Sequence, residues 1–116
     1  MLSRLELQTR FEDILDSKNV YYQPPESVKL QYPAIIYKRQ NFTIKRANNR
    51  NYIVIPGFEV TLIDKHPDSD YILPLLELPF CSHDRHYTAD NLNHDVFRIY
   101  NYKGGNTHET GLGPDW

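Results

Sequence analysis

The chain has 116 residues, of which 40% are hydrophobic and 24% are charged. This composition is typical of one globular domain and of neither a disordered segment nor a membrane span. The formal net charge of −2 excludes the strongly basic balance of a protein that binds nucleic acid through many phosphates. Cys81 is the single cysteine, and residues 1–10 lack the apolar run of a signal peptide, so we expect synthesis in a reducing cytoplasm.

The charges fall into two blocks of opposite sign. Residues 37–51 contain five basic residues and no acidic one, namely Lys38, Arg39, Lys45, Arg46 and Arg50. Residues 59–95 contain two basic residues and eight acidic ones, namely Glu59, Asp64, Asp68, Asp70, Glu77, Asp84, Asp90 and Asp95. Complementary blocks on one chain allow a head-to-tail contact between copies, in which the basic edge of one copy meets the acidic edge of the next.

An amphipathic helix is predicted from about Ser3 to Ser17. Its apolar positions recur at helical spacing and are Leu7, Phe11, Ile14 and Leu15. Ser3 followed by Glu6 matches a capping box, in which each side chain satisfies one free backbone amide at the start of the helix. Asn19 is the predicted left-handed residue at its end.

Two strands are predicted in the middle of the chain. Residues 20–25 indicate an extended approach and a bend at two prolines, and the apolar run Ala34–Tyr37 is typical of a buried strand. In the basic block, Asn41-Phe42, Asn48-Asn49 and Arg50-Asn51 have turn-forming residues and predict a hairpin tip or a long loop. The alternation over Tyr52–Asp64 predicts a strand with one face in the core, and Pro56-Gly57 indicates a bulge or bend in it.

A short helix and two more strands complete the prediction. The helix lies between Pro67 and Pro79, and Pro74 limits its regular part to one or two turns after that residue. Cys81–Tyr87 and Val96–Tyr102 are predicted to be neighbouring strands, joined by a segment rich in turn-forming residues.

These elements predict an α+β fold. It has an N-terminal helix, a mostly antiparallel sheet of four or five strands, and a second short helix packed on one face. We expect a single domain over residues 1–103 and a flexible C-terminal tail over residues 104–116, which have little apolar content.

Neither a metal site nor a catalytic pair is indicated. The candidate ligands are His66, His83, His86, His94 and Cys81. In a regular strand His83 and His86, three positions apart, point to opposite faces and cannot both bind one ion. A Cys81 nucleophile would need a base, an orienting group and an oxyanion site, which the sequence does not indicate. We therefore expect no catalytic residue and no cofactor, with Cys81 in the core.

A nucleic-acid-binding module is a possible alternative function. The basic block could contact phosphates, and Tyr37 and Phe42 could stack on bases. However, five charges on a hairpin are more often solvated or in contact with protein, and the rest of the chain is acidic. The sequence favours a protein contact or a solvated loop.

The order of motifs resembles the tail terminator (tail completion) proteins of long-tailed bacteriophages. The segments that carry the resemblance are Asn19-Val20-Tyr21-Tyr22-Gln23-Pro24-Pro25-Glu26, Tyr32-Pro33-Ala34-Ile35-Ile36-Tyr37, Val60-Thr61-Leu62-Ile63-Asp64, Val96-Phe97-Arg98-Ile99-Tyr100, and the charged stretches 64–70 and 84–95. The stretches 64–70 and 84–95 are similar to a branch of phage proteins described as minor capsid or tail completion proteins. The resemblance covers Leu5–Tyr102, and the chain after Lys103 departs from the family pattern.

The resemblance implies a structural virion protein. Such a protein forms a hexameric ring that caps the tail tube, ends tube polymerisation and offers a head–tail joining surface. Its partners would be copies of itself, the major tail tube protein and a head-closure or connector protein; DNA would pass through the lumen without specific binding, and no membrane would be involved. Assembly would occur in the host cytoplasm, and another neck component is the nearest alternative. The expected interface residues are Lys38, Arg39, Phe42, Lys45, Arg46, Arg50, Asp64, Asp68 and Asp70.

Overall fold

A computed structural model describes residues 3–45 and 52–100 of the chain. In chain order, the elements are α1 (Arg4–Leu15), β1 (Val20–Tyr22), β2 (Ala34–Lys45), β3 (Tyr52–Asp64), α2 (Ile72–Leu76), β4 (Cys81–Ala89) and β5 (Leu92–Tyr100). The strands form one sheet in the order β1-β2-β3-β5-β4. β1 is parallel to β2, and the other neighbours are antiparallel. The predicted α+β fold is confirmed. The predicted C-terminal tail lies outside the described residues.

Helix α1 begins where the sequence predicts. The Ser3 amide donates to Glu6 Oε1 at 2.8 Å, and the Glu6 amide donates to Ser3 Oγ at 3.3 Å, which is the predicted capping box. The prediction for its end is wrong. Asp16, with a φ of 54°, takes the left-handed position, while the Asn19 carbonyl already accepts from the Ile35 amide at 3.0 Å. Asn19 therefore belongs to the start of the sheet.

The hairpin of β2 and β3 is longer than predicted. β2 does not turn at Asn41-Phe42 but continues to Lys45, and its register with β3 is unbroken from Ala34↔Ile63 to Lys45↔Tyr52. Pro56 and Gly57 therefore form no bulge in the ladder between β2 and β3. The part of β3 that pairs with β5 begins at Gly57, one residue after Pro56. The missing amide of Pro56 therefore removes no hydrogen bond to β5.

The second half of the chain differs from the prediction in its boundaries. Helix α2 does not follow Pro74 but contains it as the third of five residues, where a missing amide donor is tolerated because the first helical turn has no internal acceptors. The turn between β4 and β5 is only Asp90-Asn91. Both residues have positive φ, 53° and 62°, as in a type I′ hairpin turn. The two strands are longer at that end as a result.

Both helices pack on one face of the sheet and enclose the core. The fully buried side chains of this core include Leu7, Phe11, Ile35, Tyr37, Phe58, Val60, Leu62, Leu75 and Phe97. The ring of Tyr37 lies 5.1 Å from that of Phe11 and 5.6 Å from that of Phe58, both at steep angles, a favoured aromatic geometry. Its hydroxyl donates to Gln8 Oε1 on α1. Desolvation by this burial raises the pKa of Tyr37. The opposite face of the sheet carries Lys38, Glu59 and Arg98, together with the buried side chains of Ala34, Ile63 and Val96.

Candidate functional site

The distal part of the β2–β3 hairpin extends beyond the rest of the sheet. We call residues 41–45 and 52–56 the hairpin arm. β5 pairs with β3 only over Gly57–Asp64, and β1 pairs with β2 only over Ile35–Tyr37. Within the described chain, the two strands of the arm therefore have only each other as strand neighbours. Among the described residues, the outer backbone groups of these two strands have no strand partner, as in edge strands.

The base of the arm is anchored by aromatic packing on a glycine. Phe42 is 7% exposed, and its ring lies 4.9 Å from that of Tyr100 and 5.3 Å from the guanidinium of Arg98. A Cβ atom added to Gly57 would lie 2.6 Å from Phe42 Cε2 and would also collide with the Ile99 carbonyl oxygen. Phe42 was an expected interface residue; its side chain is buried inside the subunit, where it holds the arm against β3 and β5.

The predicted basic residues lie along this hairpin. Lys38 and Arg39 are exposed on β2 just before the arm. Lys45 ends β2 at the far end of the arm. Arg46 and Arg50 lie outside the described residues, in the segment that connects the two strands. Of the five basic residues, the structure therefore places Lys45 at the end of the arm and Lys38 and Arg39 before its start.

The opposite end of β3 is acidic. β3 ends at Asp64, and Asp68 and Asp70 are exposed in the loop that follows. Asn93 pairs with Asp64 across β3 and β5, which brings the exposed Asp90 of the β4–β5 turn to the same end. We call Asp64, Asp68, Asp70 and Asp90 the acidic end; Lys65 lies in the same loop.

Asp64 shapes the loop of the acidic end. It is 6% exposed, and its carboxylate accepts from Ser69 Oγ at 2.8 Å and from the His66 amide at 3.2 Å. The Tyr71 amide in turn donates to Ser69 Oγ at 3.2 Å. Asp64 therefore orders the loop, and the exposed carboxylates of Asp68 and Asp70 are presented to solvent.

The arm and the acidic end lie at opposite ends of one strand. β3 has 13 residues and, at about 3.3 Å per residue, is about 40 Å long. This length is close to the longest dimension of the molecule, 44 Å. The two charged regions cannot meet within one subunit.

The histidines of β4 lie differently from the prediction. A bulge between His83 and Arg85 puts His83 opposite Phe97 and His86 opposite Asp95. Since Phe97 and Asp95 are two apart on β5, the two histidines share one face, and the prediction of opposite faces is wrong. His83 Nε2 lies 3.0 Å from Asp95 Oδ1, and His86 Nε2 lies 3.2 Å from Asn93 Oδ1. Within residues 3–45 and 52–100, no group of three or more His, Cys, Asp or Glu could hold a metal ion.

Cys81 packs against the core beside α2 and β5. Desolvation by burial raises the pKa of its thiol from 9 to about 11, so the nucleophilic thiolate is disfavoured at neutral pH. We expect alkylation of Cys81 by iodoacetamide to be slow at pH 7 and to rise with pH toward a midpoint near 11. In denaturant the midpoint should return to that of an ordinary thiol. A folded protein that is alkylated as fast as glutathione at pH 7 would contradict this prediction.

On the open face of the sheet, cations lie next to carboxylates. Lys38 is directly opposite Glu59, which is opposite Arg98. Arg98 Nη2 lies 3.5 Å from Asp84 Oδ2, and Arg85 Nη1 lies 2.6 Å from the same oxygen. Carboxylates at these distances compete with phosphates for the same cations. The geometry therefore does not favour nucleic-acid binding on this face.

No protein-family model, curated protein or solved structure shows a significant match to the chain. Within the described residues, no helix is long and apolar enough to cross a membrane.

The two charge blocks could be identified from the sequence, whereas the parts that Gly57 and Asp90 play in the site could not. The sequence indicates a bulge or bend at Pro56-Gly57, whereas in the structure Gly57 leaves room for the Phe42 ring. Asp90 was not among the expected interface residues, and it reaches the acidic end through the β3–β5 register. A glycine inside a strand indicates either a bulge or the close approach of another group, so the sequence did contain a signal for the contact at Gly57.

Proposed function

We propose that this chain is a non-enzymatic structural subunit that assembles head to tail with copies of itself into a ring of the tail terminator kind. The observation that carries the proposal is that the hairpin arm, where β2 ends in Lys45, and the acidic end lie at opposite ends of β3. Two complementary surfaces at opposite ends of a subunit make a heterologous contact, which repeats from copy to copy. Such a chain of contacts closes into a ring when the rotation per subunit divides a full turn.

The ring caps the tail tube and joins it to a head-closure or connector protein. This part of the proposal rests on the resemblance of the motifs in Leu5–Tyr102 to tail terminator proteins. It is supported by the order of elements, which begins with a capped helix and continues into a mixed sheet with an open hairpin. DNA passes through the lumen without being bound, in keeping with the net charge of −2 and with carboxylates beside the cations of the open face.

Native mass spectrometry of the purified chain, alone and with polymerised tail tubes, tests this function. We expect either a hexameric ring or a monomer that becomes a ring on tube ends. Because the contact is ionic, the ring should dissociate as the salt concentration rises. A protein that remains monomeric and does not bind tail tubes at low salt would contradict the proposal. A monomer that instead binds a connector would indicate another neck component, and salt-dependent binding of single-stranded DNA would indicate the nucleic-acid alternative.

A further inference from the structure

A groove with apolar walls runs beside β2 on the side of β1. Its volume is about 590 Å³, and its lining includes Pro24, Pro25, Val28, Leu30, Ile36 and Lys38. Val28 is 38% exposed, which is high for a large apolar side chain. The volume lies within the range of sites that bind small ligands or short peptide segments.

The wall of this groove is held in place by hydrogen bonds to β2. The Gln23 amide donates to the Tyr37 carbonyl at 2.9 Å, and Gln23 Oε1 accepts from the Arg39 amide at 3.1 Å. The Val28 amide donates to the Pro25 carbonyl at 3.1 Å and closes the next turn. The groove is therefore formed before anything occupies it, which lowers the entropic cost of binding.

We propose that the groove binds residues 112–116 of the same chain. In this segment Leu112, Pro114 and Trp116 alternate with Gly113 and Asp115. When the backbone is extended, side chains at alternate positions point to the same side. The segment can therefore present one apolar side to the prolines, Val28 and Ile36 of the groove, while Asp115 faces away from them.

The charge of the C-terminal segment and the length of chain before it are both compatible with binding in the groove. Residues 104–116 contain two acidic residues and no lysine or arginine, whereas the groove has two cations, Lys38 and Arg39, against Glu26. Tyr100 is opposite Gly57, and Gly57 is opposite Gln40, so Tyr100 is two strand spacings, about 10 Å, from β2. Residues 101–111 can span about 36 Å when extended, which is enough to reach the groove.

Trp116 is the one tryptophan of the chain, so its fluorescence reports directly on this segment. In the full-length protein at high dilution we expect blue-shifted emission and acrylamide quenching several-fold weaker than that of N-acetyl-tryptophanamide. Val28→Asp puts a charge on the wall of the groove and should shift the emission to that of a solvated indole. Leu73→Asp is the matched control, because Leu73 is 70% exposed on α2, and it should leave the emission unchanged.

Three results would overturn the assignment. The first is a wild-type Trp116 that is quenched as freely as the model compound. The second is an emission that Val28→Asp leaves unchanged. The third is a blue shift that grows with protein concentration, which would place the segment in the groove of a second copy. Thermal unfolding of both variants checks that the subunit is folded. The measurement uses the dilute subunit, so its outcome does not depend on ring formation.

Discussion

Replacing Asp68 and Asp70 with lysine is expected to weaken ring formation while the subunit stays folded. Both side chains are exposed at the acidic end, so the substitution removes little from the free energy of folding. In a head-to-tail contact, the new lysines would face the basic end of the hairpin arm, and like charges placed together at an interface cost several kcal/mol. We expect the dissociation constant between subunits to rise about 10- to 100-fold, about 1.4–2.8 kcal/mol.

A charge exchange makes this prediction specific. Lys45→Glu with Arg46→Glu should weaken assembly by the same mechanism, and the combination of all four substitutions should restore it in part. The matched control is Glu26→Lys with Glu77→Lys, which changes the net charge equally at exposed positions outside the acidic end. Sedimentation or native mass spectrometry at low salt measures the outcome. Equal weakening by the control pair would show that total charge governs assembly and would contradict the head-to-tail contact.

Elements of the fold with a local cause could be predicted from the sequence. The start of α1 depends on a hydrogen-bonded box formed by Ser3 and Glu6, three residues apart. The presence of β3 follows from its alternation, since Phe58, Val60 and Leu62 are fully buried and Glu59 and Thr61 between them are partly exposed. The start of α1 is therefore set by residues within the helix itself. The strand is indicated by the regular spacing of its own core-facing residues.

Features with a non-local cause could not be predicted in the same way. Asn41-Phe42 has turn chemistry, yet Phe42 continues the strand because its ring packs on Gly57 and Tyr100. Tertiary packing here overrides a local preference. The bulge that puts His83 and His86 on one face is likewise a property of the β4–β5 register. The position of Asp90 beside Asp64 also depends on register, so only the charge blocks themselves could be predicted.

Gly57→Ala is expected to destabilise the subunit and to loosen the hairpin arm. The new methyl group would meet two groups at once, the Phe42 ring at 2.6 Å and the backbone carbonyl oxygen of Ile99. The Phe42 ring can rotate away, but the carbonyl belongs to the ladder between neighbouring strands and moves only if β5 moves. Forcing a methyl group into a packed site costs about 1–3 kcal/mol, a large part of the 5–15 kcal/mol that stabilises a typical domain.

Denaturant unfolding of Gly57→Ala, of Phe42→Ala and of their combination separates the two collisions at Gly57, with Thr61→Ala as the control. Thr61→Ala, at a partly exposed position of the same strand, controls for a general loss of strand stability and should cost less than 1 kcal/mol. Phe42→Ala removes one of the two collisions, so adding Gly57→Ala to it should destabilise the subunit less than Gly57→Ala does alone. The combination should still cost stability, because the Ile99 carbonyl stays.

Since Phe42 also anchors the arm, Phe42→Ala should weaken ring formation even where the subunit is folded. Wild-type stability of Gly57→Ala would show that the arm is not anchored through this contact.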